Sequence, residues 1–199
     1  MRVATITCPN RKGGSKVVNS LRILVYDAKN FSEEISLPLV QLLAEVIHDG
    51  GSMGFLADVT DTELMEFWTS ELSKVRSGVN VIICAMDANT CIAAGILTHE
   101  TKTSGRHRAE VRKMMTHPEY RHKGVASQIL TRIEAVAFER GARLLTLRTE
   151  TNSAASVLYS HMGWTLIGNV PNYAASPDGS LHSVSFCYKE LVNFDICTR

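Results

Sequence analysis

The chain of 199 residues lacks most features that would assign it to a membrane, to nucleic acid or to a metal. No apolar run is long enough to span a bilayer, and Arg2 is not followed by an apolar stretch of signal-peptide length. A cytoplasmic protein without a membrane partner is therefore expected. Basic excess is also missing: 21 Lys and Arg stand against 20 Asp and Glu, a net charge of +1. Bulk electrostatics thus argue against nucleic acid as the main partner. The five cysteines (Cys8, Cys84, Cys91, Cys187, Cys197) are odd in number and contain no Cys-x-x-Cys pair. They read as reduced, mostly buried thiols, with neither a disulfide frame nor a zinc site. The histidines show no ligand spacing, so no metal is expected. No nucleophile-elbow motif occurs, which argues against a covalent acyl-enzyme.

What is present is a single-domain pattern of mixed strands and helices, preceded by an N-terminal extension. Residues 1–20 hold the polar, Gly-rich stretch Asn10-Arg-Lys-Gly-Gly-Ser-Lys16 and read as flexible. The domain occupies residues 21–199. Leu21–Tyr26 reads as a strand. Leu39, Leu42, Leu43, Val46 and Ile47 mark one helical face, begun near Pro38 and ended by Gly50-Gly51. Thr60-Asp-Thr-Glu63 is a capping box opening a second stripe of Leu64, Phe67, Trp68, Leu72 and Val75. Strands are predicted over 79–86, 91–97, 109–116, 143–149, 165–168 and 183–191. A long helix is predicted over about 124–140 and a short one from Asn152, as N-cap, to Gly163.

The most informative segment is the turn Arg121-His122-Lys123-Gly124-Val125-Ala126, set between a strand and the long helix. A helix that opens on free backbone N–H groups, with glycine where a Cβ would obstruct, suits a phosphate anion. Three basic side chains beside it suit a pyrophosphate. The turn is neither a P-loop nor a dinucleotide fingerprint.

With Asn152-Ser-Ala-Ala-Ser-Val-Leu-Tyr-Ser-His-Met-Gly-Trp164 following in order, the chain resembles the GNAT acetyltransferases across about residues 21–192. Ala44–Asp58, Arg108–Met115 and Pro171–His182 are similar to the tabtoxin-resistance branch, whose members acetylate a small amine-bearing antibiotic or toxin. Related small enzymes act on aminoglycosides such as kasugamycin. The resemblance implies an α/β fold: a mixed, mostly antiparallel twisted sheet of about seven strands, helices on both faces, splayed near Thr116. It implies acetyl-CoA as cofactor, a small-molecule amine as partner, and direct acetyl transfer to that amine in a ternary complex. It also allows a homodimer.

The same resemblance places the cofactor on Met114, Met115 and Thr116, whose backbone would pair with the pantetheine arm. The pyrophosphate would lie on Arg121, His122, Lys123, Gly124, Val125, Ala126 and Ser127. Asn152 would either hydrogen-bond the cofactor or only cap its helix. Tyr159 is the candidate general acid. A phenol with a reference pKa of roughly 10 keeps its proton at neutral pH; from pattern alone a packed aromatic is the reading, and the whole Asn152–Trp164 signature favours the general acid. Glu110 is the candidate base, raised in pKa if buried; otherwise it is a strand carboxylate paired to Arg108 or Arg112. Relatives of the branch carry an acid where this chain has Arg148, so that acid's role is lost or moved. His48, Asp49 and Asp58 on one side, with Tyr173, Asp178 and His182 on the other, are expected to wall the acceptor. Asp61 and Glu66 are further sources of negative charge. The alternatives are a protein or peptide N-acetyltransferase, which needs an open groove, and a non-catalytic acyl-CoA sensor.

Overall fold

The computed structural model describes residues 4–6 and 21–191. Among these, eight strands form one sheet in the order β1-β2-β3-β4-β5-β6-β8-β7. They are β1 (Ala4–Ile6), β2 (Leu21–Tyr26), β3 (Asn80–Asp87), β4 (Thr90–His99), β5 (Arg108–Thr116), β6 (Leu144–Glu150), β7 (Thr165–Ala175) and β8 (Leu181–Glu190). Four helices pack on it: α1 (Ser36–His48), α2 (Asp61–Arg76), α3 (Val125–Glu139) and α4 (Ala154–His161). This is the mixed α/β arrangement expected, with the N-terminal β1 added. Of the segment read as a flexible extension, Ala4–Ile6 pair antiparallel with Leu21–Ile23, and the rest lies outside the described residues.

Each face of the sheet carries its own core. On one side Ile129, Leu130, Ile133, Val136 and Ala137 of α3 pack on Val81, Ile83, Val111, Leu145 and Leu147. On the other, Leu39, Leu43, Ile47, Leu64, Trp68 and Val75 of α1 and α2 pack on Ile82, Cys84, Ala94 and Ile96. The central strands β3 and β4 are thus covered on both faces, which is why they read as continuous apolar runs rather than alternations. The capping box forms as its pattern predicts: Thr60 accepts from the Glu63 amide, and Glu63 accepts from the Thr60 amide at 2.8 Å. The N-cap of α4, in contrast, is Ser153, which accepts from the Ser156 amide at 3.2 Å. Asn152 precedes it in the left-handed region at φ 61°, a conformation asparagine tolerates better than most residues.

β7 runs seven residues past the end predicted for it. Register shifts at Leu166/Gly168 and Val170/Ala174 interrupt its side-chain alternation. Pro171 is tolerated because this is the sheet's outer strand. The ladder with β8 holds the strand together, and no pattern within its own residues announces it.

One feature of the sheet places the site. β5 and β6 are parallel and pair only from Arg108↔Leu144 to Val111↔Leu147. Beyond that point β6 continues along β8 while β5 stays with β4. The two strands therefore part, and the edge of β5 beyond Val111 that faces β6 has no ladder partner.

Candidate active site

At the far end of the parted strands lies the turn 121–126. His122 and Gly124 take φ values of 59° and 75°, and Gly124 is the N-cap of α3. This left-handed step aims successive amides in one direction, the geometry of an anion-binding nest. The Gln128 amide, which bonds the Gly124 carbonyl at 3.2 Å, begins the helical ladder, so the N–H groups of Val125, Ala126 and Ser127 open outward. A Cβ built on Gly124 would meet no atom within 4 Å, so the space above the glycine is clear for a phosphate. These features, together with the free edge of β5, fit a pantetheine pyrophosphate. Lys123 holds its ammonium 5.1 Å from the centre of the Tyr120 ring. Arg121 is engaged otherwise than expected: it pairs with Asp49 and donates to the Thr116 carbonyl at 3.3 Å. Asp49, expected on the acceptor wall, is thus paired with the turn 121–126. Met115 is 4 % exposed and packs in the α1/α2 core, and Met114 packs towards α3. At both positions it is the backbone that remains for the cofactor.

Tyr159 is buried at 5 % exposure, its ring 5.9 Å from that of Trp164. Burial, and then the nearby Cys187, push its phenol well above the usual range. The indole of Trp164 is itself fixed, donating at 2.9 Å to Glu134, which also takes the Lys189 ammonium at 2.8 Å. Tyr159 thus stands on a rigid support and keeps its proton.

Glu110 is neither buried nor isolated. Its side chain is 33 % exposed, and its partner is Arg148, at 3.1 Å, in place of Arg108 or Arg112. Arg112 turns instead to the buried Glu71, which Asn80 also reaches at 2.7 Å. Arg148 belongs to the site: it donates to the Tyr173 hydroxyl at 3.1 Å, and that ring meets Phe186 edge-on at 5.3 Å. Tyr173, then Glu110, hold the guanidinium firmly protonated.

Lys113 is the residue sequence reasoning missed. Its φ of 51° and the register shift between Ala94 and Ile96 mark a β-bulge in β5. The bulge breaks alternation, so Arg112 and Lys113 both turn to the α1/α2 side. The Lys113 ammonium donates to the Met53 carbonyl and lies 5.1 and 4.9 Å from the ring centres of Phe55 and Phe67. Burial, and then Arg112, push it down to about 8; the ring faces act in the opposite sense. Two adjacent charges, Arg112 and Lys113, where the strand's alternation of polar and apolar residues calls for an apolar one, were the available signal.

That shift has a measurable consequence. Between pH about 8 and the ordinary lysine value of 10.5, the unfolded chain holds more protons at residue 113 than the folded chain. Stability therefore rises with pH across this window, and the cost of burying the cation is complete below it. Denaturant titrations of Lys113→Met and the parent, compared across the window, should show this rise in the parent only.

The remaining acceptor-wall candidates separate. His182 lies between Ser176 at 3.1 Å and Ser52 at 3.5 Å. Ser52 also reaches the Ala175 carbonyl at 3.4 Å, and the Ala57 amide bonds the Pro177 carbonyl at 2.9 Å. The loop between α1 and α2 is thereby tied to the β7–β8 hairpin. Asp178 is used within that hairpin, accepting from the Ser180 amide and hydroxyl at 2.9 and 2.6 Å. His48 and Asp58 are exposed, at the end of α1 and on the loop. Asp61 and Glu66 line an open groove on the outer side of α2, away from the sheet.

Residues 78–166, which span the bulge, the loop and Tyr159, match the family model of the acetyltransferase (GNAT) domain. Solved structures share the fold at low identity. One is yncA, a candidate acetyltransferase from Salmonella typhimurium whose structure holds its cofactor acetyl-CoA. It is 13% identical, with a TM-score of 0.66 over 85% of this chain and 94% of that one. The ribosomal-protein-alanine N-acetyltransferase of Brucella melitensis is 19% identical, with a TM-score of 0.67 over 84% and 99%. A candidate phosphinothricin N-acetyltransferase is 21% identical, with a TM-score of 0.68 over 87% and 99%. Over residues 78–166 the chain is similar to the GNAT acetyltransferase domain. Its activity class is acetyl-CoA-dependent N-acetyl transfer. Among the described residues no helix is long and apolar enough to cross a membrane.

Proposed function

We propose that the acceptor is a primary amine of a small polar antibiotic or toxin, aminoglycoside-like or tabtoxin-like, and that its acetylation confers resistance. The observation that supports a small acceptor is a circuit of contacts around the sheet face beside the parted strands. Lys113 on β5 touches Met53 and Phe55 of the loop. Ser52 and Ala57 of the same loop touch the β7–β8 hairpin. Tyr173 on β7 touches Arg148 on β6, and Arg148 returns to Glu110 on β5. A face ringed by such contacts suits a compact molecule, whereas a peptide substrate needs a groove open at two ends.

Acetyl-CoA supplies the activated thioester. The amides of 125–127 and the turn 121–124 hold its pyrophosphate, and the free edge of β5 aligns its arm, with a backbone N–H of 113–116 on the acyl oxygen. Glu110 takes one proton from the amine, directly or through water, as nitrogen bonds the acyl carbon. The carbon–sulfur bond breaks, and Tyr159 gives one proton to the departing sulfur. Solvent then removes the proton from Glu110 and restores that of Tyr159.

Thiol release should be followed with amine antibiotics, tabtoxin-type amines, free amino acids, polyamines and peptides as acceptors. Turnover is expected on a small amine and not on peptide N-termini or lysines. Turnover confined to peptides would establish the protein-acetylating alternative, and acetyl-CoA binding with no acceptor at all would establish the sensor.

A further inference from the structure

The charge arrangement inside the circuit narrows the acceptor further. Of the acids that a polycation would need, Asp49 is paired with Arg121 and Asp178 is used by Ser180. Asp61 and Glu66 lie on the far side of α2, and Glu71 is shared among Lys74, Arg112 and Asn80. What faces the parting of β5 and β6 is Arg148 with Glu110, and Lys113 stands on the same side of β5. Arg148 is the first residue of β6 past the last ladder pair with β5, Val111↔Leu147, at the mouth where a thioester carried along β5 would arrive.

The Arg148–Glu110 pair is built to accept both ends of an amino acid. Arg148 is 46 % exposed and uses one N–H of each terminal nitrogen, on Tyr173 and on Glu110. Of its five N–H donors, three have no partner among the described residues, including the Nε side of the fork that binds a carboxylate with two parallel bonds. Glu110 engages Arg148 through Oε1, so Oε2 remains to receive an ammonium. The open groups of the two side chains are thus a donor fork and an acceptor side by side across a 3.1 Å ion pair, which suits the neighbouring carboxylate and amine of an α-amino acid. A purely cationic aminosugar would instead set its ammonium groups against Arg148 and Lys113.

We propose that the acceptor is an amine carrying a carboxylate close to the nitrogen, an amino-acid-type molecule, with Arg148 binding the carboxylate and Glu110 the amine. This rests on the small-acceptor reading above. Arg148 is then the specificity-determining residue, and Tyr173 holds its guanidinium in place.

The test compares free α-amino acids and amino-acid toxins with their carboxamides, with the matching decarboxylated amines, and with aminosugars and peptides, by thiol release in the parent enzyme and in Arg148→Met. In the parent, kcat/KM for the carboxylate form should exceed that for its carboxamide by roughly 10- to 100-fold, the range of a hydrogen bond to a charged group. Arg148→Met should remove that gap, by raising KM for the carboxylate form more than KM for the carboxamide. Arg148→Lys should restore part of it. Equal turnover of acid and carboxamide, turnover confined to carboxylate-free small amines, or an equal loss on both in Arg148→Met would overturn the carboxylate assignment and leave the small-acceptor reading intact. Turnover on peptides alone, or none on any amine while acetyl-CoA binds, would overturn both.

Discussion

Tyr159→Phe is expected to lower kcat by about 10²–10⁴-fold, the range for loss of a positioned general acid, while the KM for acetyl-CoA and the thermal midpoint stay close to those of the parent. Three observations separate the catalytic effect from a structural one. The ring is buried against Trp164 at a centroid distance of 5.9 Å, and phenylalanine keeps that contact. The hydroxyl makes no hydrogen bond among the described residues, so its removal leaves no protein group unpaired. Burial keeps the phenol protonated well beyond the usual tyrosine range. For the same reason the activity of the parent should not decline with rising pH through loss of this proton before about pH 10. Steady-state thiol release, read beside a melting curve, checks it. Unchanged kcat in a folded Tyr159→Phe protein would remove Tyr159 from the chemistry.

Gly124→Glu is expected to raise the KM for acetyl-CoA by about 100-fold or more, because a like charge set against the pyrophosphate costs several kcal/mol. The side chain starts into open space, since a Cβ would find nothing within 4 Å. The folding cost is therefore confined to holding a non-glycine residue at φ 75°, about 1–2 kcal/mol. Gly124→Ala isolates that backbone term and should lower stability similarly while weakening the cofactor much less. Calorimetric titration of coenzyme A into the three proteins distinguishes the terms. Equal affinities in all three would show that the pyrophosphate lies elsewhere.

Much of the architecture was legible because it depends on local chemistry. The capping box at Thr60, the apolar stripes of α1, α2 and α3, the doubly covered strands β3 and β4, and the glycine-bearing turn before α3 are each encoded within a few residues. Tyr159 was legible from its place in the pattern Asn152–Trp164. Asn152 was read as the N-cap, yet Ser153 takes that place, since both residues suit capping and only the backbone course decides between them. β7 exceeded its predicted length because bulges erase the period of two on which a strand is recognised.

The acceptor side was the least legible part. The sequence marked acids as substrate contacts by residue type, yet Asp49 spends its charge on Arg121 and Asp178 spends it on Ser180. Arg148 stood out only as a departure from relatives, and Lys113 did not stand out at all. By itself the sequence determined the fold class and the glycine-bearing turn before α3, because helix starts, turns and apolar periods are short-range properties, and it pointed to the cofactor through the resemblance its motifs carry. Only the tertiary structure decided which charges meet beside the parted strands. A bulge in β5 turns Lys113 to the α1/α2 side, and the parting of β5 from β6 places Arg148 beside Glu110. Residues 38 positions apart meet through strand register and splay, and neither is written in the neighbourhood of either residue.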